Sequence, residues 1–264
     1  MTTTLTKADD TLLPRSPNGL DMVQWLDPRG RYRIERATSS LLHEDFASVP
    51  PVREGVQYQN RLNRHSRYFF LPERKHKFCE SGLESDSLMM LEFEQRIARV
   101  ASQPMLMLFR AGSKALRHYP DFFGVAPNGD LVVFDVKPSG RMNDKVRDQF
   151  DETARLCAQV GWRHEVVHED HPVRTMNLQW LRAARQSHYH PTPEMFEHIQ
   201  TVFDASRPAY EGAVMVDLKC WQRGFAYIRH LLWHGYLTTD LTIPVNTDSV
   251  LRTTTKGTSC ACGM

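Results

Sequence analysis

The segment Pro127-Asn128-Gly129-Asp130, set between strand-forming runs over 117–126 and 131–138, constrains this chain more than any other feature. Turn residues flanked by such text predict a β-hairpin. Period-two geometry then places Leu131, Val133, Asp135 and Lys137 on one face of the second strand, and Val132, Phe134 and Val136 on the other. Two charges therefore share a face inside an apolar strand. An uncompensated charge there costs several kcal/mol, so such groups are normally paired or bound to a metal. An Asp-Lys pair at the exposed end of the strand is the plain alternative.

The turn decides whether Asp121 joins them. A strict two-residue turn at Asn128-Gly129 would put Asp121 across from Val136, pointing away from Asp135. A three-residue turn of Asn128, Gly129 and Asp130, with a left-handed glycine and a bulge, would put Asp121 across from Lys137 and on the face of Asp135. We expect the latter. Two carboxylates then converge beside one ammonium, and the carboxylates with the Val136 carbonyl form an oxygen set suited to Mg²⁺. Lys137 could orient or deprotonate a water and stabilise charge on a phosphate, which is the chemistry of phosphodiester hydrolysis.

Around this hairpin, the apolar positions Leu83, Leu88 and Leu91 predict a helix from Ser81 to about Arg96, and Met105 to Arg110 a buried strand. Val146, Phe150, Ala154, Cys157 and Val160 fall at helical spacing and predict an amphipathic helix packed on the sheet. Trp162 to Val167 reads as a further strand. The expected core is an α/β domain, a mixed sheet flanked by helices, over 56–170. Residues 1–55 read as a flexible N-terminal segment closed by Pro50-Pro51. From 171 to 250 the text predicts helices near 175–186, 193–205, 210–219 and 222–234, then a β-prone stretch from Tyr236 to Val245, a winged-helix-like layout. Residues 251–264 read as a disordered tail.

With 33 Lys plus Arg against 31 Asp plus Glu, net charge does not announce a nucleic-acid binder, so phosphate contacts must come from local clusters. Arg61, Arg64 and Arg67, then Arg74, Lys75 and Lys77, interleave with Tyr68, Phe69 and Phe70, which suits a DNA surface and equally suits a solvated basic loop. The five cysteines form no C-x-x-C pair, and Cys260 with Cys262 are too few for a structural zinc site. The opening MTTTLTKADD holds no signal-peptide stretch and no apolar run approaches the roughly 20 residues of a membrane span, so a cytoplasmic address is expected.

Asp121 with Asp135-Val136-Lys137 on this element order resembles the PD-(D/E)xK nuclease superfamily, a restriction-endonuclease-like core. The runs Glu80-Ser81-Gly82-Leu83-Glu84-Ser85-Asp86, Val100-Ala101-Ser102-Gln103-Pro104 and His118-Tyr119-Pro120-Asp121-Phe122-Phe123 resemble the TnsA-like endonuclease subunit of heteromeric transposases over about 60–170. The resemblance implies a catalytic set of Glu84, Asp121, Asp135 and Lys137, with Glu84, Asp121, Asp135 and Val136 at Mg²⁺, or Mn²⁺ in its place. It implies cleavage of one strand at the 5′ ends of a transposon, beside a DDE-type transposase and under an AAA+ regulator docked on 170–245.

Two other functions fit the same text: a stand-alone restriction or repair nuclease, and a non-cleaving DNA or transposase adaptor. Ser81-x-x-Glu84 is also a capping box in which Glu84 would bond back to the Ser81 amide. Glu80, Glu92 and Glu94 could replace it. Gln149 and Glu152 lie near enough in sequence to support the site, and solvation explains them equally. The histidines, His164 and His168 among them, show no metal-ligand spacing. Trp180, Trp221 and Trp233 read as core anchors of the second domain, and Arg182, Arg185, His188 and His190 as an exposed helix face that could touch DNA.

Overall fold

The computed structural model describes residues 20–53, 65–111 and 114–256, a mixed α/β chain with six α-helices among them. Contacts divide the chain into two units, 1–87 with 96–168 and 88–95 with 169–264. Among the described residues no helix is long and apolar enough to cross a membrane. Arg61, Arg64, Cys260 and Cys262 lie outside the described residues.

The first unit holds two four-stranded sheets and a hairpin. One sheet runs β2 (Tyr32–Arg36), β1 (Met22–Leu26), β6 (Met105–Ala111) and β7 (Lys114–His118), antiparallel throughout. The other runs β10 (Arg163–Val167), β9 (Leu131–Val136), β8 (Phe122–Val125) and β5 (Arg99–Ser102). There β9 and β10 are parallel, joined by helix α2 (Asp144–Val160), because parallel neighbours need a long crossover. The separate hairpin pairs β3 (Ser66–Phe70) with β4 (Lys75–Cys79), and helix α1 (Gly82–Phe93) follows it.

The run 117–126, expected as one strand, is split between the two sheets. Pro120 has no N–H to give a ladder, so β7 ends at His118 and β8 begins at Phe122. Residues 20–53, expected within a flexible segment, instead supply two strands and part of the core. Val23, Trp25, Leu41 and Phe46 are buried with Met107, Phe109, Phe123, Val133, Leu156 and Trp162. Edge-to-face rings knit this core, with Phe46 5.2 Å from both Trp25 and Trp162. The flexible reading failed because five-residue β1 is too short to display a period, and the Leu41-Leu42 pair and Phe46 sit in otherwise polar text with no helical or strand spacing.

Helix α2 starts where the Asn143 side chain accepts from the Val146 N–H at 3.0 Å, and ends at left-handed Gly161. Its buried stripe is Phe150, Thr153, Leu156, Cys157 and Val160; Ala154, expected inside, is exposed and Thr153 takes that place. The Thr153 hydroxyl is satisfied by the Gln149 carbonyl, which lets a polar residue sit in the core.

The second unit contains α3 (Pro172–Leu181), α4 (Pro193–Val202), α5 (Ala209–Val216) and α6 (Trp221–Trp233), with a small antiparallel sheet of β11 (Arg207–Pro208), β13 (Val250–Thr253) and β12 (Leu237–Thr238). A Cβ at Gly224 would lie 2.4 Å from the Ala213 carbonyl oxygen, so only glycine lets α5 and α6 approach this closely. Trp233 is buried, whereas Trp221, expected as a core anchor, is 36% exposed, and Trp180 lies under the Arg229 guanidinium. Arg185 is buried and paired with Glu92 at 2.9 Å, which removes it from a DNA-facing set and Glu92 from the candidate acids.

Candidate active site

The hairpin between β8 and β9 builds the site. Its loop has three residues with left-handed Gly129, but they are Pro127, Asn128 and Gly129. The Gly129 N–H donates to the Ala126 carbonyl and the Ala126 N–H to the Asp130 carbonyl, each at 2.9 Å. Proline is favoured at the second position of such a turn, which moves the loop one residue earlier than expected. Phe122 pairs with Phe134, so Asp121 falls across from Asp135 and not from Lys137. A shift of two in partner number leaves the faces unchanged. Asp121 and Asp135 share the face of Phe123 and Val133, and Lys137 follows on it by alternation.

Asp121 is held by backbone on both sides. The Val136 N–H donates to its Oδ2 at 2.7 Å, and its own carbonyl accepts from the Gln103 N–H at 2.9 Å. Val136 thus enters the site through its N–H. Oδ1 of Asp121 takes no hydrogen bond among the described residues. Burial pushes the Asp121 carboxyl well above its ordinary range, and the charges of Asp135 and Glu84 push the same way against the Val136 N–H. Gln103 is buried, adopts φ of 44°, and neither polar atom of its carboxamide has a partner among the described residues. Left-handed backbone at a non-glycine residue beside a carboxylate is the kind of strain found at functional sites.

Asp135 is 2% exposed and bound by two histidines that sequence reasoning set aside. His118 Nε2 lies 2.8 and 2.9 Å from its two oxygens, and His164 Nε2 lies 2.8 Å from Oδ2. Burial alone would raise the Asp135 carboxyl; His118, then His164, override it and hold the group below the usual carboxylate range. Gln149 of α2 stands behind, its Nε2 2.7 Å from His118 Nδ1. Glu152 is not part of this group and pairs with Arg155. No spacing rule could have found His118 or His164, because each arrives from a different neighbour of β9 or of β6.

Glu84 is buried at the start of α1, inside a capping box. Its Oε2 accepts from the Glu80 N–H at 2.7 Å and its Oε1 from the Ser81 hydroxyl at 2.9 Å, while the Glu84 N–H donates to Ser81 Oγ at 3.1 Å. Burial raises the Glu84 carboxyl, with these two donors opposing. Ser81→Ala is expected to cost about 1 kcal/mol in a urea melt, and Glu84→Ala to add little on top of it, since both report on one box.

The remaining acids are engaged elsewhere: Glu80 pairs with Arg53 at 3.0 Å and Glu94 with Arg174 at 2.8 Å. Of the basic cluster, Arg67, Arg74 and Lys75 are exposed on the β3–β4 hairpin. Lys77 is not available to a phosphate, since its ammonium pairs with Glu73 at 2.6 Å and donates to the Val100 carbonyl. Tyr68 and Phe70 are buried by strand alternation, so they cannot stack on bases.

Among the described residues no three His, Cys, Asp or Glu side chains are arranged to hold a metal ion. The donor type at Asp121 and Asp135 nevertheless fits a hard divalent cation: two carboxylates lie across one hairpin from each other, and Asp121 Oδ1 accepts no hydrogen bond among the described residues. Glu84, held in its cap, does not join them as placed. No known family model and no curated protein matches the chain.

Proposed function

We propose that this chain is a divalent-cation-dependent DNA endonuclease of the PD-(D/E)xK type, acting as the TnsA-like strand-cleaving subunit of a heteromeric transposase. The observation that carries the reading is the apposition of Asp121 and Asp135 across one hairpin, with Lys137 next on the same face and its ammonium without a partner among the described residues. Structural ion pairs would have joined Lys137 to one of the aspartates. An unpaired cation beside two crowded acids instead suits a site that receives a phosphate.

Asp121 and Asp135 would hold Mg²⁺ or Mn²⁺, with Glu84 joining on release from its cap. When bound, the cation supplies Lewis-acid stabilisation of a phosphate oxygen. Lys137 faces the same position, where an ammonium orients water and offsets charge building on the phosphate. The water oxygen bonds to phosphorus and the P–O3′ bond breaks, leaving a 5′ phosphate and a 3′ hydroxyl. Arg67, Arg74 and Lys75 would contact the duplex backbone. By resemblance, a DDE-type transposase cuts the other strand, and an AAA+ regulator engages the helical unit.

The test is to co-express the chain with its transposase partner and map breaks at transposon ends, for wild type and Asp121→Ala, in Mg²⁺ and in EDTA. The 5′-end breaks should vanish in the variant and, for the wild type, in EDTA. The partner's 3′-end breaks should persist when Asp121 alone is changed. Unchanged 5′ breaks in Asp121→Ala would make Asp121 structural and leave a non-cleaving adaptor as the better reading. Cutting of plain duplex by the isolated chain would favour a stand-alone nuclease.

A further inference from the structure

We propose that His118 is a positioning residue of this site: Gln149 holds it in one tautomer, and that tautomer fixes the Asp135 carboxylate in a single orientation. The inference rests on the nuclease reading above and adds residues that its motif does not contain.

The geometry forms a relay of three side chains from three elements. Gln149 Nε2 of α2 faces His118 Nδ1 of β7 at 2.7 Å. An amide nitrogen can only donate, so Nδ1 must present its lone pair, and the ring proton lies on Nε2. That Nε2–H sits 2.8 and 2.9 Å from the two Asp135 oxygens on β9, and His164 Nε2 of β10 adds a donor to Oδ2 at 2.8 Å. His118 is 7% exposed, and its ring packs edge-on against Phe150 at 6.0 Å, so water does not compete for these bonds.

A carboxylate has about four acceptor positions, and the imidazole N–H groups leave capacity on both oxygens. Their effect is to stop rotation of the carboxyl group, so a cation meets oxygens already aimed. Partners one step behind a metal ligand commonly change cation affinity or activity by about 10–100-fold when removed.

Two measurements test this on the full chain. In ¹⁵N-histidine NMR at pH 7.5, wild-type His118 should show a protonated Nε2 and an unprotonated Nδ1, and Gln149→Leu should show a mixture of tautomers. A charged ring or an Nδ1–H form in the wild type would overturn the proposal. In cleavage assays with the transposase partner, His118→Ala should raise the Mg²⁺ concentration for half-maximal cutting by about 10–100-fold. His118→Gln, whose amide N–H can reach Asp135, should recover to within a few-fold of wild type. An unchanged Mg²⁺ requirement in His118→Ala, or no recovery in a His118→Gln protein with wild-type melting, would sink it. Should wild type cut nothing, the nuclease reading is what fails, and the NMR result alone then decides for or against the clamp.

Discussion

Lys137→Ala should lower strand cleavage by about 10²–10³-fold while leaving thermal melting nearly unchanged. The activity loss follows from removing an ammonium on the Asp121 and Asp135 face, where charge would build on a phosphate. The unchanged stability follows from what Lys137 does not do. Its backbone N–H donates to the Val167 carbonyl at 2.9 Å and its carbonyl accepts from His168 Nδ1 at 2.6 Å, and both bonds survive the substitution. Its side chain anchors no carboxylate among the described residues. Surface and half-buried positions without such features usually change stability by less than about 0.5 kcal/mol. A melting temperature lowered by many degrees would show that Lys137 is structural, and unchanged cleavage would remove it from the chemistry.

Asp121→Asn should abolish cleavage and make the protein more stable at neutral pH. The Asp121 carboxyl ionises in the folded protein well above its ordinary value of 3.8, first through burial and then through Asp135 and Glu84. The folded state therefore holds this proton more tightly than the unfolded chain. The stability that comes from that proton is fully present below the unfolded value and is lost as pH rises through the raised one. Above the raised value folding must keep an anion in crowded, half-dry surroundings. Asparagine removes the charge and keeps an oxygen for the Val136 N–H. The expected gain is on the order of 1–2 kcal/mol, typical of relaxing a strained functional group, or roughly 2–8 °C in melting temperature. The gain should shrink as pH falls, because the wild-type carboxyl then regains its proton. A lower melting temperature at pH 7.5 would mean that the two aspartates do not repel each other as drawn.

The raised Asp121 carboxyl and the unpartnered buried amide of Gln103 both lie at the carboxylate pair, where the Gln103 N–H donates to the Asp121 carbonyl. Two acids left crowded in this way are the physical argument for a functional site. Residues kept for folding alone would have neutralised each other, as Arg185 and Glu92 do in the second unit.

Local text carried several elements well. The turn residues from Pro127 to Gly129 set a hairpin, and its three-residue loop made Asp121 and Asp135 share a face even though the loop began one residue earlier than expected. Parity survives such a shift because side chains alternate with a period of two. The helical spacing from Val146 to Val160 and the order of four helices after Pro172 were legible for the same reason, since each depends only on near neighbours in sequence.

What lay beyond the sequence depends on pairings between distant strands. His118 reaches Asp135 only because β7 joins β6 in one sheet while β8 and β9 belong to another, and His164 only because β10 runs parallel to β9 in one register. Val23, Trp25 and Phe46 enter the core for a like reason, through the pairing of β1 with β6. Glu84 could be read as cap or ligand, and the folded chain places it in the cap because the Glu80 N–H and the Ser81 hydroxyl are its nearest donors. The sequence by itself determined which chemical groups share the β8–β9 hairpin. Only the tertiary structure decided which side chains hold them, because hydrogen bonds across sheets follow from strand register, and register is set by the packing of the whole core.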